Sequence, residues 1–192
     1  MERSIALFGT SADPPTIGHK KILEELSKIY AFTISYVSNN PKKKHIEDIS
    51  IRSNLLETLI EDIDNPKILF NQKVSSQWAI ESIKKCKAIY KFNNLDFVIG
   101  SDLIKDIFYW KNFEKIILEV NFLIILREGY PIESNTLQML ETYKVKFKIS
   151  TIKTPNISSS KFRLNFNCSN LPSSLIDIVK RNNLYESIKL VE

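Results

Sequence analysis

The chain has 192 residues, 43% of them hydrophobic and 26% charged, which is typical of a globular protein and not of a disordered or fibrous one. Cys86 and Cys168 lie far apart and neither has a second Cys or His at metal-ligand spacing, so we expect no zinc site. No segment reaches the ~18 apolar residues of a membrane span, and the first residues predict a strand where a signal peptide would have its apolar region. We therefore expect a cytoplasmic protein without a membrane partner.

The net charge of +5 is compatible with two kinds of partner. A basic protein can bind nucleic acid, and a cleft that gathers several phosphate groups also needs positive charge. The aromatic residues lie mostly at apolar periodic positions, and no pattern of a known nucleic-acid-binding module occurs. Charge alone does not decide between the two kinds of partner, but the lack of such a pattern leads us to expect no nucleic-acid partner.

Apolar runs of strand length recur along the chain, and several are β-branched and nearly continuous. They span 4–8, Phe32–Ser38, Lys67–Asn71, Asp96–Gly100, Phe122–Arg127 and Lys146–Ile152. Runs of this kind are typical of strands that are buried on both faces of a parallel sheet.

Helical patterns lie between these runs. The first predicted helix has an apolar face made of Ile22, Leu23, Leu26, Ile29 and Tyr30. Two further helices are predicted by similar stripes, one at Leu55, Leu56, Leu59 and Ile63 and one around Trp78 and Ile83. The tail from Leu171 to Tyr185 predicts a helix after Pro172.

This alternation of strands and helices predicts an α/β fold, Rossmann-like and doubly wound, with a mainly parallel sheet and helices on both faces. We expect a single domain over residues 1–192, with a helical C-terminal portion from about 157 to 192. Ligands of such sheets bind beyond the carboxyl ends of the strands, where the strand order reverses.

The loop after the first strand is the first candidate site. It leaves the strand at Gly9 and enters a helix near Thr16, Gly18 and His19. A helix N-terminus that follows such a loop presents backbone N–H groups to phosphate. The loop lacks the Gly-Lys-Ser/Thr of a P-loop and the GxGxxG of a dinucleotide site. A helix cap by Thr16 beside a surface histidine is the structural alternative.

The second candidate site is Ile157-Ser158-Ser159-Ser160-Lys161-Phe162-Arg163, which follows the last predicted strand. Serine hydroxyls at a helix start can cap the helix or donate to phosphate oxygens, and Arg163 adds a fork-shaped cation one turn later. A serine cap with a solvated arginine is again the structural alternative.

Together these two segments resemble the HxGH and ISSTxxR motifs of the nicotinate or nicotinamide mononucleotide adenylyltransferases, in the T/HxGH nucleotidyltransferase superfamily. The resemblance extends over nearly the whole chain, in order. Its further segments are 97–102 with Trp110, the strand that ends in Arg127-Glu128-Gly129-Tyr130, and the tail with Pro172, Val179 and Leu184-Tyr185.

The resemblance implies that AMP passes from ATP to nicotinate mononucleotide and that deamido-NAD and pyrophosphate are released. The acceptor phosphate would attack the α-phosphorus in line, without a covalent enzyme intermediate and without a general base. Mg²⁺ is implied as the cofactor, bound mainly through ATP phosphates and water and not by a carboxylate cage.

The resemblance also implies roles for individual residues. The residues implied in catalysis are His19, Arg163 and Thr16. Those implied in ATP binding are Gly9, Thr10, Ser11, Asp13, Gly18, Gly100, Asp102, Ser158 and Ser159. Those implied in mononucleotide binding are Trp110, Lys43 and Arg127.

Within these sets, Asp102 would accept hydrogen bonds from ribose hydroxyls, and Trp110 would stack on the pyridinium ring, whose charge its quadrupole attracts. A core tryptophan is the alternative for Trp110. Lys44 is the alternative to Lys43 as the basic residue that reaches phosphate, and a solvated lysine run is the alternative to both.

The chain departs from the family pattern at several positions. Threonine at position 16 replaces the usual first histidine; it can donate a hydrogen bond but carries no charge, which weakens one cationic phosphate contact. Gln77-Trp78-Ala79 and the run Lys42–Lys44 differ from the usual patterns near the pyridine base. Nicotinamide mononucleotide as acceptor, pantetheine-phosphate adenylyltransferase activity and a catalytically silent nucleotide-binding protein therefore stay open as alternatives. The oligomeric state is also left open, a homo-oligomer included.

Overall fold

The computed structural model describes residues 4–41 and 43–186. The described strands form one sheet in which every neighbouring pair is parallel, in the order β3-β2-β1-β4-β5-β6. The strands are β1 (Ser4–Thr10), β2 (Phe32–Val37), β3 (Ile68–Phe70), β4 (Asn94–Gly100), β5 (Asn121–Ile125) and β6 (Phe147–Ile149). This order reverses between β1 and β4, as in Rossmann-like sheets.

Helices connect the strands and follow the last of them. They are α1 (Ile17–Ile29), α2 (Ile49–Ile63), α3 (Ala79–Ile89), α4 (Phe113–Glu119), α5 (Ser134–Thr142), α6 (Ser159–Asn165) and α7 (Ser173–Arg181). Single turns of 3-10 helix occur at Gln72–Val74, Ser101–Leu103, Ile107–Tyr109 and Cys168–Asn170. None of the described helices is both long enough and apolar enough to cross a membrane.

The central strand shows why both faces of the sheet are covered. Along β1, Ala6 and Phe8 point to one core, which α1, α2, α6 and α7 close. The alternate residues, Ile5 and Leu7, point to a second core on the other face, which α3, α4 and α5 close. Because side chains alternate along a strand, a strand with helices on both faces needs this continuous apolar run. The predicted fold class is confirmed.

All predicted strands occur, with shifted ends. The apolar run of β5 continues to Arg127, but the chain leaves the sheet after Ile125 and turns back at Arg127–Tyr130. The prediction for Ile29 was wrong: this residue is 60% exposed, because it lies at the edge of the apolar stripe whose centre is Leu23, Leu26 and Tyr30. Lys42 of the lysine run, residues 1–3 and the last part of the predicted C-terminal portion, 187–192, lie outside the described residues.

The topology positions the candidate site. The carboxyl ends of β1 and β4, at Thr10 and Gly100, flank the point where the strand order reverses. Loops that follow these two strands diverge to opposite faces of the sheet and leave a crevice between them. The expected ligand region is therefore bounded by the β1–α1 loop and by the turn that begins at Ser101.

Candidate active site

The β1–α1 loop begins at Gly9, where the lack of a side chain is needed for packing. A Cβ at this position would lie 2.6 Å from the ring of Tyr36 on the neighbouring strand β2. Tyr36 is only 2% exposed and cannot move aside freely. Gly9 therefore accommodates Tyr36, and the loop starts its turn directly above a filled core.

His19 lies in the first turn of α1, buried and held at both ring nitrogens. Its Nδ1 accepts a hydrogen bond from the backbone N–H of Thr16 at 3.0 Å, and the Thr16 hydroxyl lies 2.9 Å from the same atom. Its Nε2 lies 2.9 Å from the hydroxyl of Thr10. Since the N–H of Thr16 can only donate, Nδ1 carries no proton in neutral His19, and the ring proton is on Nε2.

Burial sets the charge of His19. Desolvation, followed by the positive charges of Arg127 and Lys43, lowers the pKa of the His19 imidazole from 6.5 to about 3. His19 is therefore a neutral hydrogen-bond donor at physiological pH, and its Nε2–H is aimed at Thr10. The structural alternative of a surface histidine does not describe this residue, which is 7% exposed.

Thr16 is fully buried, and its side chain faces His19 and not the solvent. It is the N-cap residue of α1, with extended backbone. A threonine here supplies a backbone donor and a hydroxyl to the histidine three positions later. Its position in this structure is that of a residue which orients His19.

The C-terminal segment meets the β1–α1 loop directly. Arg163 donates through Nη1 to the backbone oxygen of Asp13, and the same nitrogen lies 3.6 Å from the Asp13 carboxylate. The Ser159 hydroxyl donates to the backbone oxygen of Pro14 at 2.8 Å. A Cβ on Gly18 would lie 3.2 Å from the backbone oxygen of Ile157, so glycine permits this close approach. The two motif segments thus share one region, as the sequence predicts.

Ser158 and Ser11 both make hydrogen bonds that hold the fold together. The Ser158 hydroxyl accepts from the N–H of Lys161 at 3.1 Å and caps α6. Ser11 offers its backbone oxygen to the guanidinium of Arg52 at 2.6 Å.

Asp13 is almost fully buried, at 1% exposure, and both of its carboxylate oxygens have donors. Oδ2 accepts from the N–H of Ile46 at 2.9 Å and Oδ1 accepts from the N–H of Glu47 at 3.3 Å. His45 Nδ1 lies 3.8 Å from Oδ2. The carboxylate therefore faces the loop before α2, where the sequence motif predicts a group that faces ATP.

Arg52 belongs to the site's support and was missed by sequence reasoning. This side chain is only 2% exposed, and besides Ser11 it donates to the backbone oxygen of Glu47 at 2.9 Å. A signal was available: Arg52 falls in phase with Leu55, Leu56 and Leu59 on the apolar face of α2. An arginine on a buried face needs acceptors from elsewhere in the fold.

A second group of side chains forms after β4. Asp102 Oδ2 accepts from Arg127 Nη1 at 2.8 Å, and a Cβ on Gly100 would collide with Asp102 Oδ1. The Ser101 hydroxyl accepts from the N–H of Arg127 at 2.9 Å and donates to the backbone oxygen of Tyr130 at 2.7 Å. Asp102 Oδ1 is buried and has no hydrogen-bond partner among residues 4–41 and 43–186.

Positive charges from three segments of the chain act on the two histidines. Both Arg127 and Lys43 lower the pKa of His19, which places their charges near it. Lys43 and Arg163 also contribute to the lowered pKa of His45, whose main cause is burial. Lys43 therefore lies close enough for its charge to act on both histidines.

Trp110 is half-buried and packs edge-on against Phe97 of β4, with ring centroids 6.0 Å apart. Part of its surface remains open to a ligand, so the packing is compatible with both stacking and a core role. Trp78 lies at the start of α3, and the Lys111 ammonium lies 4.9 Å from its ring centre. Within 4–41 and 43–186, no group of three or more His, Cys, Asp or Glu side chains is arranged to hold a metal ion.

Comparisons with known proteins agree with this geometry. Residues 7–165 match the cytidylyltransferase-like family. A probable nicotinate-nucleotide adenylyltransferase from Synechocystis sp. is 27% identical, over 94% of this chain and 98% of its own. Another from Acholeplasma laidlawii is also 27% identical, over 97% of this chain and 100% of its own.

Solved structures give the same result. The nicotinic acid mononucleotide adenylyltransferase of Plasmodium falciparum, complexed with NaAD, has a TM-score of 0.78 and 25% identity, and the match covers 96% of this chain and 98% of that one. The same enzyme complexed with APC matches equally well. The chain therefore belongs to the cytidylyltransferase-like family, and the relatives that share its length and its fold are nicotinate-nucleotide adenylyltransferases.

Proposed function

We propose that the protein transfers AMP from ATP to nicotinate mononucleotide and releases deamido-NAD and pyrophosphate. The observation that carries the proposal is the contact of Arg163 and Ser159 with the β1–α1 loop, which leads to the buried His19, in a chain whose relatives are nicotinate-nucleotide adenylyltransferases. Two substrates rich in phosphate need cations and backbone donors in one place, and this crevice provides both.

The ATP phosphates bind at the β1–α1 loop in this proposal. Backbone N–H groups from Gly9 to Ser11, and those near Gly18 at the start of α1, face the phosphate oxygens. The positive end of the α1 dipole adds to this attraction. Arg163 supplies the fixed positive charge from the opposite side of the loop. Ser158 and Ser159 shape that side, since their hydroxyls already have partners in the fold.

His19 stabilises the reacting phosphoryl group as a neutral donor. Its Nε2–H exchanges the hydroxyl of Thr10 for a phosphate oxygen, while Thr16 keeps Nδ1 as an acceptor. A preorganised donor in a water-poor site stabilises charge that develops in the transition state. Thr16 and Thr10 are then positioning residues for His19, and the loss of a first histidine at position 16 leaves this donor intact.

The acceptor lies between β4 and the loop before α2. Trp110 stacks on the pyridinium ring, and Lys43 and Arg127 face the 5′-phosphate. On the ATP side, Asp102 accepts hydrogen bonds from the ribose hydroxyls, because Arg127 fixes its Oδ2 and its Oδ1 has no partner among the described residues. An unpaired buried acceptor is unfavourable, so a ribose donor at this point is stabilising.

The reaction itself needs no nucleophilic side chain. The acceptor phosphate is already anionic at neutral pH, so it attacks the α-phosphorus in line once the two substrates are held together. Mg²⁺ enters with ATP as part of the substrate, since the nearest buried carboxylate, Asp13, has both oxygens engaged by backbone N–H groups. The protein's own contribution is to bind the two substrates, to align them and to neutralise their phosphate charges.

The direct test is pyrophosphate release from ATP and Mg²⁺ with three acceptors in parallel: nicotinate mononucleotide, nicotinamide mononucleotide and phosphopantetheine. We expect kcat/KM to be highest for nicotinate mononucleotide. Preference for the amide would assign the protein to the alternative acceptor, and turnover of phosphopantetheine alone would contradict the proposal. ATP binding without turnover of any acceptor would favour the silent nucleotide-binding protein.

A further inference from the structure

The buried carboxylate of Asp13 joins three segments that are distant in the sequence. It belongs to the β1–α1 loop, accepts from the N–H groups of Ile46 and Glu47, and lies 3.6 Å from Arg163 of α6. His45 Nδ1 lies 3.8 Å away on the same side. The β1–α1 loop and α6 carry groups assigned above to ATP, and the loop before α2 carries Lys43, which is assigned to the acceptor.

The charge of Asp13 suits this junction and does not suit a phosphate contact. A carboxylate beside the ATP phosphates would repel them, whereas a buried carboxylate among N–H groups and a guanidinium is stabilised. Both of its oxygens are already engaged, which leaves little capacity for a ligand hydroxyl. The geometry therefore separates Asp13 from the residues that contact substrate.

The loop before α2 depends on this junction for its position. Lys43 itself is exposed, and its N–H donates to the backbone oxygen of Asn40 at 3.1 Å. Further along, Arg52 holds the backbone oxygen of Glu47, and the N–H of Tyr185 donates to the Glu47 carboxylate at 2.9 Å. The attachment points of the loop thus cluster at residues 46 and 47, directly on Asp13.

We propose that Asp13 is a positioning residue for the acceptor: its carboxylate holds residues 46 and 47, and through them Lys43, at a fixed place relative to Arg163 and His19. The two phosphate-bearing substrates are then aligned by one buried anion that touches neither. This inference rests on the proposed function, because it assigns Lys43 to the acceptor phosphate.

The test compares two buried aspartates. Asp13→Asn replaces one acceptor oxygen by an amide that cannot accept from a backbone N–H, and Asp96→Asn makes the same change at the opposite end of the sheet. The first readout is the rate of trypsin cleavage after Lys43 and Lys44 in the folded protein. The second is the KM for nicotinate mononucleotide and the KM for ATP, measured with kcat by pyrophosphate release.

We expect Asp13→Asn to speed cleavage in this loop by about 5- to 30-fold, the change that one or two lost hydrogen bonds produce. The KM for nicotinate mononucleotide should rise by about 10-fold or more, and the KM for ATP should change much less. Asp96→Asn should leave the loop cleavage and both KM values at their wild-type levels.

A second variant removes the donor instead of the acceptor. Ile46→Pro removes the backbone N–H that donates to Asp13 Oδ2. The Ile46 side chain is 45% exposed, so its loss leaves the hydrophobic core unchanged. We expect the same faster cleavage and the same selective rise in the KM for nicotinate mononucleotide. This variant decides the matter if Asp13→Asn does not fold.

Wild-type cleavage and wild-type KM values in both variants would overturn the inference. A rise in the KM for ATP alone, with unchanged loop cleavage, would overturn it as well and make Asp13 an ATP ligand. If the wild-type protein released no pyrophosphate with any acceptor, the proposed function would fail. The cleavage comparison would then still show whether Asp13 holds the loop.

Discussion

The two ends of the sheet each contain a buried aspartate, and the surroundings of the two differ. At the amino end of the strands, Asp96 accepts from the hydroxyl of Tyr30 at 2.6 Å and from the amide of Asn121 at 2.9 Å. Both donors are neutral, and burial together with this carboxylate raises the pKa of the Tyr30 hydroxyl far above its ordinary value. This end is a closed internal contact between α1, β4 and β5.

At the carboxyl end, Asp13 is surrounded by backbone N–H groups and by Arg163, and Arg52 of α2, Lys43 and Arg127 lie in the adjoining segments. Arg127 pairs with Asp102 and Arg163 pairs with Asp13, and Arg52 and Lys43 add further positive charge at this end. This surplus of positive charge at the carboxyl end suits an anionic ligand, whereas the amino end is a closed contact between neutral donors and one carboxylate. The predictions below test this contrast between the two ends.

His19→Ala gives the largest expected effect. Removing one preorganised donor at the carboxyl end should lower kcat by about 10²-fold or more, while the melting temperature should show that the fold survives. The measurement is pyrophosphate release at saturating substrates. Turnover at the wild-type level in a folded His19→Ala protein would remove His19 from the mechanism.

Tyr30→Phe is the corresponding change at the amino end. It deprives the Asp96 carboxylate of a hydrogen bond, so the free energy of unfolding should fall by about 1.5–3 kcal/mol. Both kcat and the KM values should stay unchanged, because this contact is remote from the crevice. Urea unfolding and the same kinetic assay measure the two quantities. A large kinetic effect would mean that the ends are not independent.

Trp110→Ala tests how much of the acceptor's binding comes from stacking. The KM for nicotinate mononucleotide should rise by a factor that corresponds to about 1–3 kcal/mol, with a smaller change in the KM for ATP. Trp110→Phe should recover part of the loss because it keeps an aromatic face. An unchanged KM in a folded alanine variant would assign Trp110 to the core.

A further expected effect is a pH dependence of stability. Burial lowers the pKa of His19 to about 3 in the folded protein, while the unfolded chain takes up this proton near pH 6.5. The unfolded state therefore binds more protons between these values, so the stability that neutral His19 contributes is complete above pH 6.5 and is lost as the pH falls. By pH 5 the loss is about 2 kcal/mol. The difference in melting temperature between wild type and His19→Ala should shrink as the pH is lowered from 7.5 to 5. A difference that stays constant over this range would contradict a buried, neutral His19.

The fold could be predicted from the sequence because its signals are local. Each strand is a short apolar run with a helical stripe beside it, and the parallel order follows from the connections. The family was predicted from motif residues and is confirmed by the match over residues 7–165. The meeting of the two motif segments was also predictable, because parallel strands place their following loops at one edge of the sheet.

The site's internal support could not be predicted in the same way. The sequence places Asp13 in a phosphate-binding motif, yet its partners are the backbone N–H groups of Ile46 and Glu47. Every residue except proline has a backbone N–H, so a sequence pattern cannot show which of them bind a side chain. Thr16 reads as a replaced histidine, and only geometry places its hydroxyl against His19. The roles proposed for Trp110, Lys43 and Asp102 stay predictions until substrates are tested.

The sheet is complete at Ile149, but the contacts that finish the crevice come later in the chain. Ser159 reaches Pro14, Arg163 reaches Asp13 and Tyr185 reaches Glu47, across separations of 145, 150 and 138 residues. During vectorial synthesis on the ribosome, the framework can therefore form while the nucleotide end still lacks its final contacts. Under the proposed function, phosphate binding would then be complete only after residues 159–185 have emerged.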